Sequence, residues 1–280
     1  MRLAEKFPLR LVCRLLDVPR SSMYYVAHVG VEEAMLKSAL VDLAGEWPTY
    51  GYRRLTAMMQ RLGWRINGKR VRRMMDELGL AGAAPKRTPR TTDSRHCFPR
   101  FENLVKDREI VGPDDVWVAD ITYVRLRREF VYLAILMDVF TRSIRGWHLS
   151  RDLEATLTLA ALEQALVVAR PRIHHSDQGV QYACSAYVER LRSLGIQPSM
   201  AAIGEPRENG FAERVVRTIK EEEVDLSDYQ DFADARSQIG RFLDDVYNVK
   251  RIHSALGYLT PREFEDQWHS ERAARTTTAT

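Results

Sequence analysis

Asp120, Asp177 and Glu213 are the residues whose surroundings invite chemistry. Asp120 lies inside VWVADITYVRL (116–126), an apolar, β-branched run in which an unpaired charge is costly to bury, so it calls for a partner or a metal. Asp177 lies in HHSDQGVQY (174–182), just beyond a short strand-like run and two residues before Gly179. Open α/β sheets place ligand-binding groups at such carboxyl ends. Glu213 shares a helix face with Arg217 and Lys220 at i, i+4 and i+7, apart from the apolar stripe of Phe211, Val215 and Ile219. A carboxylate and two cations therefore project together from one helix.

Each residue also has an ordinary explanation. Asp120 can be a satisfied strand carboxylate, Asp177 can cap the turn it enters, and Glu213 can pair with Arg217 within its helix. His174 and His175 are adjacent, so on a strand they face opposite sides and cannot chelate one ion together. One is expected in the core and the other lining the site.

The elements that must position these groups are legible from periodicity. Residues 116–126, 129–140 and 143–150 read as three consecutive strands, which implies an antiparallel meander. A helix from Glu154 to Ala169, a strand from Arg172 to His175, a helix from about Ala183 to Leu194 and a strand near Ile196 to Ser199 follow. A long helix spans about Glu208 to Val224. The expected fold is α/β, a mixed five-stranded sheet with helices on both faces. Residues 227–269 read as a helix, a basic loop and a short helix after Thr260-Pro261, and the polar tail 270–280 reads as disordered.

Upstream the pattern is helical. Residues 7–26 read as helix, turn and a fresh short helix at Ser21-Ser22, and a second helical segment runs from about Val31 to Leu43. In YGYRRLTAMMQRLGWRINGKRVRRMMDELGL, Leu55, Met58, Met59 and Leu62 line one helix, and Val71, Met74, Met75 and Leu78 line another. Asn67-Gly68 marks the turn between them. Arg53 and Arg54 on the first helix, and Lys69, Arg70, Arg72 and Arg73 on the second, suit a helix-turn-helix that meets DNA with its second helix. The alternative is a helical pair with snorkelling basic side chains. Residues 81–108 lose apolar periodicity and read as a basic, extended linker, which separates a DNA-binding region (1–80) from a core (109–226).

Composition agrees with a polyanion-binding module joined to one that needs carboxylates. The net charge is only +4, yet residues 1–100 hold nineteen Lys or Arg against nine Asp or Glu, so the rest is net acidic. The 280-residue chain has ample apolar content for a core, no membrane-spanning run and no secretory leader pattern, so a cytoplasmic, nucleoid-associated location is expected. Cys13, Cys97 and Cys184 are scattered, which excludes a disulfide scaffold or a four-cysteine zinc site.

Taken together, Asp120, Asp177 and Glu213, with 35 residues between the last two and Lys220 seven beyond the glutamate, resemble the DDE signature of retroviral-integrase-type transposases. WVADITYV is similar to the first-aspartate strand of the second-frame (OrfB) transposases of the IS-three insertion-sequence family. HHSDQGVQY resembles its second-aspartate loop, and YNVKRIHSALGYLTPREF its carboxyl-terminal signature. Residues 50–80 resemble the helix-turn-helix segment ahead of that family's core. The resemblance covers about residues 7–268. One departure is Glu208-Asn209-Gly210 where the family carries an Asp-Asn-Ala-type run, which leaves Glu205 and Glu208 as rivals to Glu213; spacing and Lys220 favour Glu213.

The resemblance implies a ribonuclease-H-like core, with Asp120, Asp177 and Glu213 holding Mg²⁺ (or Mn²⁺), two ions in all. Such ions activate the attacking oxygen and stabilise the leaving one in phosphoryl transfer. It implies DNA end cleavage and strand transfer, with Lys220 and Arg217 beside the scissile phosphate or terminal bases and Asn209 contacting DNA or capping its helix. It also implies a first-frame (OrfA-type) companion or frameshift fusion, and a homo-oligomer on double-stranded DNA. The competing expectations are an inactive DNA-binding relic or repressor, and a general ribonuclease-H-like nuclease.

Overall fold

The computed structural model describes residues 8–15, 17, 19, 31–80, 100–202 and 205–278. The expected short helix at Ser21-Ser22, and residues 81–99 of the expected linker, lie outside these. A short helix α1 (Leu9–Leu15) precedes a bundle of α2 (Val31–Glu46), α3 (Tyr52–Arg61) and α4 (Gly68–Leu78). Leu36, Leu40, Leu55, Met59, Val71 and Met74 are its interior. The Asn67-Gly68 pair works as a helix start: Asn67 Oδ1 accepts from Arg70 N at 2.9 Å, and α4 begins at Gly68. Gly79 closes α4 in the left-handed region, which glycine adopts without a Cβ clash.

The rest is one five-stranded sheet of order β3-β2-β1-β4-β5, made of β1 (Val116–Arg125), β2 (Phe130–Asp138), β3 (Ile144–Ser150), β4 (Ile173–Ser176) and β5 (Gln197–Met200). The first three strands form the expected antiparallel meander, and β4 and β5 add in parallel. Strand alternation divides the side chains between two cores. Trp117, Ala119, Ala134 and Leu136 meet α5 (Ala155–Val168), the short α6 (Val180–Ala183) and α7 (Ser185–Ser193) on one face. Val116, Val118, Leu133, Ile135 and Met137 meet α8 (Gly210–Ile219) and α9 (Phe232–Arg241) on the other. Gly146 lets α5 press on β3, since a Cβ there would stand 2.3 Å from the Ala161 carbonyl oxygen.

Three expectations change. Residues 101–108 are packed on the core: Phe101 lies on the α5–α7 face, and Leu104 and Val105 on the other. The long helix from Glu208 to Val224 is a 3-10 turn (Pro206–Asn209), α8 and a π-helical turn (Lys220–Val224). The tail 270–280 is not disordered through residue 278, because α10 runs from Pro261 to Thr278 as one helix. Phe264 and Trp268 pack on Phe140, and Glu265 pairs with the buried Arg145 at 2.6 Å. No Gly or Pro then interrupts Glu271-Arg272-Ala273-Ala274-Arg275, so the helix propagates. Among the described residues no helix is long and apolar enough to cross a membrane.

Candidate active site

The sheet register brings the two aspartates together. β1 and β4 run parallel and their last pair is Ala119 with Ser176, so Asp120 and Asp177 are the next residues on neighbouring strands. Adjacent strands lie roughly 4.8 Å apart. Asp120 follows the alternation of Val116 and Val118, which directs it toward the α8 side. α8 packs its Ala212, Val215 and Ile219 stripe on that face and leaves Glu213 and Arg217 outside the buried set.

Electrostatics record the convergence. Burial, then the Asp177 carboxylate, push the Asp120 carboxyl up from the ordinary range to about 7; Glu213 adds to the rise, while the Ile121 amide and Lys220 oppose it. Lys220 is half-buried; burial lowers its pKa, and Asp225 and Asp120 hold it up. Asp120 thus feels Asp177, Glu213 and Lys220, the groups whose spacing marked them out. Beneath them the Tyr182 hydroxyl is buried without a hydrogen-bond partner and is influenced by Asp120 and Asp177.

The donor chemistry suits a hard divalent cation, since Asp120, Asp177 and Glu213 offer carboxylate oxygens in like-charge conflict. Asn209 supplements them: its Nδ2 donates to Ala119 O at 3.4 Å, and its buried Oδ1 has no partner. A finished cage is not present, because among the described residues no three His, Cys, Asp or Glu side chains are grouped to hold an ion. The cause is local. Asp120 Oδ1 accepts from Ile121 N at 2.8 Å and Asp177 Oδ1 from Gly179 N at 3.0 Å, so both carboxylates are turned onto neighbouring backbone. The capping role considered for Asp177 is therefore real in this form.

Glu208, the rival carboxylate, has a different job. Its Oε2 accepts from Ala202 N at 2.8 Å and from Asn103 Nδ2 at 2.9 Å, and these bonds hold its pKa down. His175 supports the same point. His175 Nε2 faces the Glu208 carbonyl oxygen at 3.1 Å, which can only accept, so Nε2 carries the proton and Nδ1 accepts from the Ser199 hydroxyl at 2.9 Å, while Ser199 Oγ accepts from Leu104 N. Burial lowers the His175 pKa, consistent with this neutral tautomer. His174 faces the other core against the Tyr187 hydroxyl, and burial and His175 lower its pKa to about 3. Neither histidine is placed as a ligand. This relay escapes a reading of the sequence because a Ser in β5 and an Asn in an apparent linker carry no spacing signal.

The basic residues of the helical bundle divide. Arg53, Lys69 and Arg72 are exposed on α3 and α4. Arg70 and Arg73 lie 3.6 and 3.9 Å from Glu33, and Arg73 also reaches Glu77 at 3.4 Å. Arg54 is committed elsewhere: it stacks over Tyr50 and bonds Glu222 Oε1 at 2.9 Å, joining the bundle to the π-helical turn after α8. Glu222 is also gripped by Arg251 at 2.6 and 2.7 Å.

Comparison with known proteins agrees with this architecture. The Integrase core domain family matches residues 111–206 and, through a second such family, 194–261, and an HTH-like domain family matches 32–88. The transposase for insertion sequence element IS629 of Shigella sonnei is 34% identical over 79% of this chain and 75% of its own length. The insertion element IS600 uncharacterized 31 kDa protein of the same organism is 33% identical over 94% of this chain and 100% of its own. A simian T-cell lymphotropic virus intasome in complex with PP2A regulatory subunit B56 gamma is similar in structure, with 16% identity over 81% of this chain and 74% of that one and a TM-score of 0.49. With an HTH-like domain ahead of an integrase core, and relatives of this identity and coverage, the chain belongs to the transposases of insertion sequences.

Proposed function

We propose that the chain cleaves the DNA ends of an insertion sequence and joins them to target DNA, with Asp120, Asp177 and Glu213 as the carboxylate set. The observation that carries this reading is the position of Asp120 on β1, where Asp177, Glu213 and Lys220 all act on one half-buried carboxyl. When bound, two Mg²⁺ or Mn²⁺ ions supply activation of the attacking oxygen and neutralise charge on the leaving oxygen.

The side chains do the rest. Asp120 and Asp177 rotate off the Ile121 and Gly179 amides to present their oxygens, and Glu213 does so from the exposed flank of α8. Lys220 and Arg217 project along the same helix and hold the phosphate that is attacked. Water or a DNA 3′-hydroxyl is the nucleophile, so no covalent enzyme intermediate is needed. Arg53, Lys69, Arg70, Arg72 and Arg73 contact DNA from the α3–α4 pair, Arg70 and Arg73 by exchanging Glu33 for phosphate. Asn209 positions the start of α8. The chain works with a first-frame companion and as a homo-oligomer on DNA.

The test is cleavage and strand transfer on labelled DNA carrying the element ends, with Mg²⁺ or EDTA. Glu213→Gln should lower metal-dependent cleavage by about two orders of magnitude or more while DNA binding stays near native. Glu208→Gln should keep most of the activity. The reverse outcome would make Glu208 the third ligand, and binding without cleavage by the native chain, companion supplied, would favour an inactive DNA-binding protein.

A further inference from the structure

Behind α8, away from Glu213, a cavity of about 790 Å³ opens between this helix, residues 103–106, the β2–β3 turn and the 251–255 loop. Its lining is cationic, with Arg54, Lys106, Arg142, Arg214 and Arg251 against the single carboxylate of Glu208. Glu222 neutralises Arg54 and Arg251, and Lys106 stands 3.8 Å from Glu208. Arg142 and Arg214 form no ion pair among the described residues. Arg142 is half-buried and Arg214 exposed, so two guanidiniums without an ion-pair partner face a cavity of ligand size and give it a positive field that suits an anion from outside.

Arg142 is held there under strain. Its φ is +63°, in the left-handed region that a residue with a side chain adopts at a cost. Its guanidinium is fixed 4.3 Å from the centre of the Phe211 ring on α8. The positive field registers on a neighbouring side chain: burial, then Arg251, Arg142 and Arg54, push His253 down to about 2. His253 therefore stays neutral and adds no charge of its own.

The cavity shares its wall with the catalytic site. Arg214 follows Glu213 directly, about 100° further around α8, and the helix with its side chains is roughly 10–12 Å across. DNA phosphates on one strand recur about every 3.4 Å of duplex axis, so a strand wrapping the helix passes from one face to the other within a few nucleotides. That continuity favours a nucleic-acid strand over an acidic peptide.

We propose that this cavity binds the phosphodiester backbone of a DNA strand, with Arg142 and Arg214 gripping phosphate oxygens and Lys106 at the rim. The identity of the strand rests on the reading above: it is the continuation of the strand that Glu213 engages. The decisive experiment is the affinity of the full chain for a short labelled duplex in EDTA, between about 50 and 200 mM salt. Arg214→Gln and Arg142→Gln should each weaken binding several-fold at low salt. Each should also flatten the slope of log K against log salt by roughly one for every phosphate that is no longer held.

Native affinity and slope in the folded double variant would overturn the proposal. So would binding of a glutamate-rich peptide that the same substitutions abolish while DNA affinity stays native, which would assign the cavity to an acidic protein. Should Arg142→Gln fail to fold, the pair Arg214→Gln and Lys106→Gln carries the same test. A structural role for Arg142 would lower the melting temperature and leave the salt slope alone. Glu213→Gln should bind with the native slope, so failure of the catalytic reading shows in cleavage and failure of the cavity shows in binding.

Discussion

Asp120 pays for its position. A carboxyl whose pKa rises from 3.8 to about 7 on folding binds a proton that the unfolded chain releases. Between those values the metal-free fold loses stability as the pH rises, by an amount on the order of 2–4 kcal/mol. Asp120→Asn removes the charge and keeps the shape, so it should raise the melting temperature at pH 8, leave it nearly unchanged at pH 4, and abolish cleavage. Thermal melts of both proteins at the two pH values in EDTA check the sign; a destabilised variant at pH 8 would show that the neighbouring carboxylates do not converge as described. Metal affinity should likewise increase as the pH rises through about 7, since the ligand must be deprotonated.

At the scale of elements, the start of α8 is fixed by a chain of contacts: Leu104 to Ser199, Ser199 to His175, and His175 to the Glu208 carbonyl. Ser199→Ala leaves the Leu104 amide without its acceptor and His175 Nδ1 without its donor, at a cost of roughly 1–3 kcal/mol. Hydrogen exchange should speed up at Leu104 and across residues 205–210, with cleavage reduced and the exposed face of α4 unaffected. Equal protection in variant and native protein would remove this relay from the account. The strands and helices of the core could be read in the sequence because apolar periodicity is strong there, and Asp120 stood out because it interrupts it. The relay was invisible because hydrogen bonds between distant polar residues leave no period. The packing of residues 101–108 was missed for the same reason: Phe101, Leu104 and Val105 are too few and too irregular to show a pattern. The tail was misjudged from its polarity, although Ala and Arg between residues 271 and 275 favour a helix.

Across the whole molecule, Glu222 ties three parts of the chain together. It lies in the turn after α8, bonds Arg54 of the helical bundle and holds Arg251 of the carboxyl-terminal loop by both oxygens. Glu222→Ala leaves the buried Arg251 and the partly exposed Arg54 without a counter-charge and should cost about 3 kcal/mol. The paired arginines hold the Glu222 carboxyl below its usual value of 4.5 against the opposing effect of burial. Its contribution is therefore complete above the unfolded pKa and disappears as the pH falls through the lower folded one. Melts of native protein and Glu222→Gln should converge in that acid window and separate at pH 7; a constant gap would mean that the charge is not what holds the junction. The charge asymmetry visible in the sequence carries no sign of the buried pair that joins the bundle to the turn after α8. Arg54 had counted as one more basic residue of the DNA-binding helix, and only its bond to a residue 168 positions away shows otherwise.

Ile252 makes the same junction from the apolar side. It is fully enclosed, sits among the core residues of the α2–α4 bundle, and its amide donates to the Tyr50 hydroxyl at 3.2 Å. The bundle is thus finished by a side chain made long after its own helices. At about 5–20 residues per second, a ribosome needs roughly ten to thirty seconds to travel from residue 80 to residue 252. During that interval the amino-terminal helices wait with an apolar notch open, and the bundle closes only once residue 252 has been made.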